Sequence, residues 1–132
     1  MEKKYSIAFD QYQRYETIAR LIVFYRQSDP TKTFQILELG ANEHKDLALF
    51  LDNDKILFTD IQLTEAMKAD PAFVQADGAN LPFKDGSFDF VVAADVLEHV
   101  PAEKRRQFLS EAYRVSRVGA ILSFPCNTEA VY

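Results

Sequence analysis

The hydrophobic pattern begins with one long helical stretch and then alternates between two periods. Over residues 6–27 (SIAFDQYQRYETIARLIVFYRQ), Tyr12, Tyr15, Ile18, Ala19, Ile22 and Val23 recur at three- and four-residue steps. That spacing predicts a helix with one buried face. SDPT at 28–31 ends it, because proline disfavours helical geometry in the residue before it. Beyond it, strands are predicted at 34–39, 55–60 (KILFTD), 72–77 (AFVQAD), 88–95 (FDFVVAAD) and 119–125 (GAILSFP), and helices at 43–51, 63–70 and 102–116. The continuous apolar run of the fourth strand is that of a strand buried on both faces. Strand–helix alternation of this kind predicts an α/β fold, a doubly wound parallel sheet covered on both faces and preceded by an N-terminal helix.

In such sheets ligands bind beyond the carboxyl ends of the strands. Glu38 and Gly40, Asp60, Asp77, Asp95 and Phe124-Pro125 stand at those ends. So many carboxylates on one rim repel each other unless a partner carrying hydroxyls, an amine or a metal lies among them. In ILELGANEHKD (36–46) an apolar strand runs into Gly40, where the backbone can turn tightly and approach a ligand, and a following helix would offer unpaired N–H groups. Asn42 and His44 stand where a dinucleotide loop carries two further glycines. Asparagine tolerates left-handed geometry, whereas the bulk of His44 restricts close helix–strand packing. Asp60 lies 20 residues beyond Gly40. At that separation a carboxylate accepts from both ribose hydroxyls of an adenosine and repels a 2′-phosphate.

Composition narrows the partners. At 132 residues, 48% hydrophobic and 27% charged, the chain suits one domain able to bury roughly two thirds of its surface. A net charge of −5 without a basic stripe argues against nucleic acid, and Lys104-Arg105-Arg106 reads as a solvated helix face. The one cysteine, Cys126, excludes an intramolecular disulfide, suits a reducing compartment and reads as a buried small residue. No stretch approaches the roughly 18–20 apolar residues of a membrane span, and MEKKYSIAFD lacks a signal-peptide core. A cytoplasmic location without membrane contact is expected.

The most specific block is QADGANLPFKDGSFDFVVAADVLEHV, residues 75–100. It resembles the D-x-x-x-L-P-F-x-D-x-S-F-D signature of class I S-adenosylmethionine-dependent methyltransferases of the small-molecule type, and the resemblance extends over residues 34–125. It implies a Rossmann-like sheet of strand order 3-2-1-4-5 and a single S-adenosylmethionine-binding domain over 1–132, with an N-terminal helix in 1–30 and the core in 34–125. Carried over residue by residue, Glu38 and Gly40 meet the cofactor's methionine end, with Ala41 and Asn42 in the same turn. Asp60 binds ribose and Ile61 lies beside the adenine. Asp77 takes the adenine amino group, with Gly78 and Ala79 supplying backbone. Asp95 to His99 (DVLEH) line the methyl-transfer pocket, which makes Asp95 and His99 the catalytic candidates and Asp95 a cofactor contact as well. The implied reaction is direct displacement at the sulfonium methyl, with a small-molecule acceptor that the sequence does not identify.

Some residues keep competing readings. Tyr12, Arg14 and Tyr15 either fold over the methionine end or are two core tyrosines beside a solvated arginine. Asp95-x-x-Glu98-His99 fits a divalent-metal constellation, a general base at His99, or a helix-start histidine with a structural hydrogen bond; the site is expected to hold no metal. His44 reads as exposed. The family's closing β-hairpin does not follow the fifth strand, so two readings are open: a fragment or truncated form of a longer protein, or a strand-five edge covered by a second copy, as a homodimer, or by a partner chain. Two rival functions stand beside the enzyme: a catalytically silent S-adenosylmethionine-binding module, favoured by the altered loop and missing hairpin, and a nicotinamide-dependent oxidoreductase, disfavoured by the lack of a further glycine in the loop after Gly40 and by the LPFKDGSFD block.

Overall fold

The computed structural model describes residues 7–27, 29–41 and 43–124. Helix α1 (Phe9–Phe24) leads into β1 (Gln35–Leu39), β2 (Lys55–Asp60), α2 (Glu65–Lys68), β3 (Phe73–Gln75), β4 (Phe88–Ala94), α3 (Arg105–Val115) and β5 (Ser116–Ser123). The strands form one sheet of order β3-β2-β1-β4-β5 with every pairing parallel, as expected from the resemblance. β1 lies at the centre, with Ile36 opposite Ile56 on one side and Phe90 on the other.

Strand alternation divides the core. Ile36, Phe90 and Val92 face α1, which buries Tyr15, Ile18, Ala19 and Ile22 against them. Leu37, Leu39, Val91 and Ala93 point the other way, onto Phe108, Ala112 and Val115 of α3. Met67 of α2 packs on Phe58 and Phe73. An ionic strut ties the α1 end to the sheet: Asp54, whose side chain is fully buried, pairs with Arg26 and accepts the Phe34 N–H at 2.9 Å. Among the described residues no helix is long and apolar enough to cross a membrane.

Several predicted elements change. The helix expected at 43–51 is only a 3-10 turn, Asp46–Leu49, entered through Lys45 in left-handed geometry (φ 51°). Leu47 and Leu51 are buried there against the cluster that α1 already covers, so no face remains for a full helix. Val23, expected in the core, is 46% exposed, and Tyr12 is half-buried with its ring edge-on to Phe50 at 5.3 Å. The helix expected at 63–70 shrinks to α2, capped by the Thr64 hydroxyl accepting from Met67 N–H. The fifth strand starts earlier, because α3 passes into it without a loop. Among the described residues β5 pairs only with β4 and is an edge strand. Asn42, Pro125 and Cys126 lie outside the described residues.

Candidate functional site

The carboxyl ends of β1 to β4 enclose a cleft of ≈ 350 Å³ lined by Gly40, Asp60, Ile61, Asp77, Gly78, Ala79, Asp95, Val96, His99 and neighbouring apolar residues. Its floor rests on Gly40. The residue sits at φ 66°, and a Cβ there would lie 2.5 Å from Val96 Cγ2. Glycine is therefore required twice, by its left-handed backbone and by the close approach of the loop after β4.

Asp60 ends β2 and accepts its neighbour's N–H, from Ile61, on Oδ1 at 2.8 Å, which leaves its second oxygen for a ligand. Ile61 is 62% exposed beside it, an apolar surface next to a carboxylate. Asp77 caps its own turn by accepting the Ala79 N–H at 2.9 Å. Gly78 packs against α3 so closely that a Cβ would lie 2.4 Å from the Phe108 ring. The signature block that follows is anchored by Arg114 of α3, which donates to the carbonyls of Phe83 (2.8 Å) and Leu81 (3.1 Å) and to Asp85 (2.8 Å). Glu111 beside it accepts the Leu81 N–H at 2.8 Å. The L-P-F-x-D segment thus holds the wall of the cleft rather than contacting it with charged groups.

Asp95 follows β4 at φ 54° and donates its N–H to the Ser123 carbonyl at 2.7 Å, which locks the turn to β5. Its carboxylate is paired with Arg14 of α1. Of the two readings of Arg14, solvation is overturned: the side chain is only 25% exposed, because α1 crosses the end of β4. His99 stands on the rim with its side chain 81% exposed and Nε2 3.6 Å from Glu98. Among the described residues no three His, Cys, Asp or Glu side chains gather as a metal site would need.

Two of the sequence candidates lie behind the cleft. Ala41 is buried, and its N–H donates to the Thr59 carbonyl at 3.0 Å, so this amide is committed to the sheet. Glu38 is buried under α1, where it accepts the Tyr15 hydroxyl at 2.7 Å. Burial pushes the Glu38 carboxyl up to about 7; the Tyr15 bond opposes the rise and the charge of Asp46 adds to it. Burial and Glu38 together raise the Tyr15 phenol far above its ordinary value, so it remains a donor. Sequence reasoning missed Asp46, Phe108 and the pairing of Arg14 with Asp95. The burial of Asp46 was unreadable in a segment expected to be a short helix over 43–51.

Comparison with known proteins identifies the family and the fold. Norajmaline N-methyltransferase of Rauvolfia serpentina is 36% identical over 67 residues, covering 48% of this chain and 22% of that protein. The match thus spans less than a quarter of that relative's length. The PH0226 protein of Pyrococcus horikoshii superposes with a TM-score of 0.68 at 23% identity, over 89% of this chain and 59% of that one. The 1,6-didemethyltoxoflavin-N1-methyltransferase of Burkholderia thailandensis, solved with bound S-adenosylhomocysteine, shares the fold at 15% identity and a TM-score of 0.58, over 78% of this chain and 48% of that one. A family profile described as a methyltransferase domain matches residues 40–124. That span runs from Gly40 on the floor of the cleft, through Asp60 and Asp77, to the loop carrying Asp95 and His99, and the chain belongs to the methyltransferase domain family.

Proposed function

We propose that this chain binds S-adenosylmethionine in the cleft and transfers its methyl group to a small-molecule acceptor. The observation that carries this reading is the convergence of Gly40, Asp60, Ile61, Asp77 and Asp95 on one cleft of ≈ 350 Å³. The donor set fits an adenosine. Asp60 keeps an acceptor oxygen for ribose hydroxyls, Ile61 offers an apolar side chain to the adenine face, and Asp77 keeps an oxygen for the adenine amino group. Because the Ala79 amide already serves Asp77, the backbone contribution there falls to Gly78.

When bound, the cofactor supplies an electrophilic methyl group on a positively charged sulfur. The chain's own task is to hold the reactants in line and exclude water, for which Val96, Val100 and Pro101 form an apolar wall. His99, exposed on the rim, takes the proton of an N–H or O–H acceptor. Asp95, engaged by Arg14, is a positioning residue rather than a base. The proposal includes one domain over the chain and a cytoplasmic setting.

Parallel calorimetry with S-adenosylmethionine, S-adenosylhomocysteine and NAD tests the cofactor. A ligand at 100 times its dissociation constant adds about 2.7 kcal/mol to stability. No thermal shift at millimolar S-adenosylhomocysteine, or selective binding of NAD, would sink the reading. Tight binding with no transfer to a broad acceptor panel would instead favour a silent module.

A further inference from the structure

We propose that a groove between α1 and β5 holds the methyl acceptor by a carboxylate group, and that Arg14 is the residue that selects it. This role rests on the cofactor reading above and adds to it a second site and an acceptor class.

The groove is a cavity of ≈ 560 Å³ whose lining includes Gln13, Arg14, Thr17, Leu21, Ile121 and Ser123. It shares no lining residue with the cleft, yet the two have a common partition. Arg14 lines the groove, Asp95 lines the cleft, and these two side chains are ion-paired. Ser123 of the groove closes the same partition. Its carbonyl accepts the Asp95 N–H at 2.7 Å, and its hydroxyl donates to Asp95 Oδ1 at 3.4 Å. A ligand anchored at Arg14 is therefore one ion pair away from the wall of the cleft.

Arg14 has donors to spare. Nη2 makes the contact with Asp95, and no hydrogen bond from Nε or Nη1 is made among the described residues. A guanidinium carries five N–H donors in a planar fork that matches a carboxylate. It can keep Asp95 on one nitrogen and take a second carboxylate on the others. The Arg14 side chain is only 25% exposed, and a partly buried charge pair is stronger than one in open water.

The neighbouring charges limit the ligand to a single negative charge. Arg20 and Glu16, also on the groove, pair with each other at 2.7 Å. Asp95 already uses part of the Arg14 charge, so the lining offers no second cation for a dianion such as a phosphate monoester. Leu21, 47% exposed, together with Ile121 and Leu122 offers apolar surface to the body of the ligand. The acceptor class is a small carboxylic acid with an apolar body and its methyl-accepting N–H or O–H away from the carboxylate. The carboxylate is an anchor only, and no bond to it forms or breaks.

The test uses the whole chain saturated with S-adenosylhomocysteine and titrated, by nuclear magnetic resonance, with benzoate and with benzamide, its neutral counterpart. Benzoate should bind about tenfold or more tighter than benzamide, the effect of a hydrogen bond to a charged group. Arg14→Gln should erase that preference. Thr17→Glu, at an exposed helix position, places a carboxylate in the groove and leaves the Arg14–Asp95 pair intact. It should weaken benzoate by about tenfold or more through like-charge repulsion and leave S-adenosylhomocysteine unchanged, with thermal melts confirming that both variants fold. Equal affinity for benzoate and benzamide, or a preference that survives both substitutions, overturns the site while the cofactor reading stands. If Arg14→Gln weakens S-adenosylhomocysteine but not 5′-methylthioadenosine, which lacks the amino-acid end, Arg14 serves the cofactor and the acceptor role is overturned. If S-adenosylhomocysteine itself does not bind, the cofactor reading falls and the acceptor role falls with it.

Discussion

Replacing Gly40 by alanine should destabilise the protein by about 2–5 kcal/mol, through two separable causes. Holding a non-glycine residue at φ 66° costs about 1–2 kcal/mol. The new Cβ, 2.5 Å from Val96 Cγ2, adds the cost of overpacking, about 1–3 kcal/mol, because Val96 is tied between Asp95 and the 3-10 turn at Leu97–His99. Val96→Ala alone removes two methyl groups from a half-buried side chain and should cost about 1–2 kcal/mol. The double variant removes the collision and keeps the backbone penalty, so the cycle should show a favourable coupling of about 1–3 kcal/mol. Urea unfolding of the four proteins, followed by circular dichroism, gives each value. A Gly40→Ala variant within about 0.5 kcal/mol of the parent, or a cycle with no coupling, would refute the argument that the loop after β4 closes onto this glycine.

Asp60→Ala should weaken S-adenosylhomocysteine by about 1.5–3 kcal/mol, the range for a hydrogen bond to a charged group, and leave the melting transition nearly in place; normal binding would show that ribose recognition lies elsewhere. Asp54→Ala leaves Arg26 without its buried partner and strands the Phe34 N–H, which should cost about 3–5 kcal/mol in denaturant unfolding; a loss under about 1 kcal/mol would mean that water replaces the strut. Because the Glu38 carboxyl is raised from 4.5 to about 7 on folding, the native state binds more protons than the unfolded state between those values. Its contribution is therefore fully present below pH 4.5 and is lost as pH rises through about 7, by an amount up to about 3 kcal/mol. Glu38→Gln should flatten that part of the stability profile, and an unchanged profile would place the titration on another group.

The outline of the fold was legible in the chain because its signals are local. β2 matches its predicted span, Lys55–Asp60, since alternation and flanking turns act over a few residues. Gly40 and Asp60 could be paired from spacing alone, because one strand–turn–strand unit sets the distance between adjacent strand ends. The signature block was readable as a pattern, but not as a mechanism. Only packing reveals that Arg114, far along the chain, holds its carbonyls to α3.

The remaining features depend on which surfaces meet. Amphipathic periodicity could place Tyr15 on the buried face of α1, but not its hydroxyl on Glu38, 23 residues away. The same helix crossing brought Arg14 to Asp95 and left Asp46 buried, and it occupied the face that a helix at 43–51 would have covered. Charge on an isolated segment favours solvent, and the chain offers no local sign that a distant helix will remove that solvent. Period and spacing fixed which strands form and which acids reach the rim. Burial, which exists only once α1 lies across β1 and β4, decided which of those acids face the cleft and which one holds its proton near neutrality.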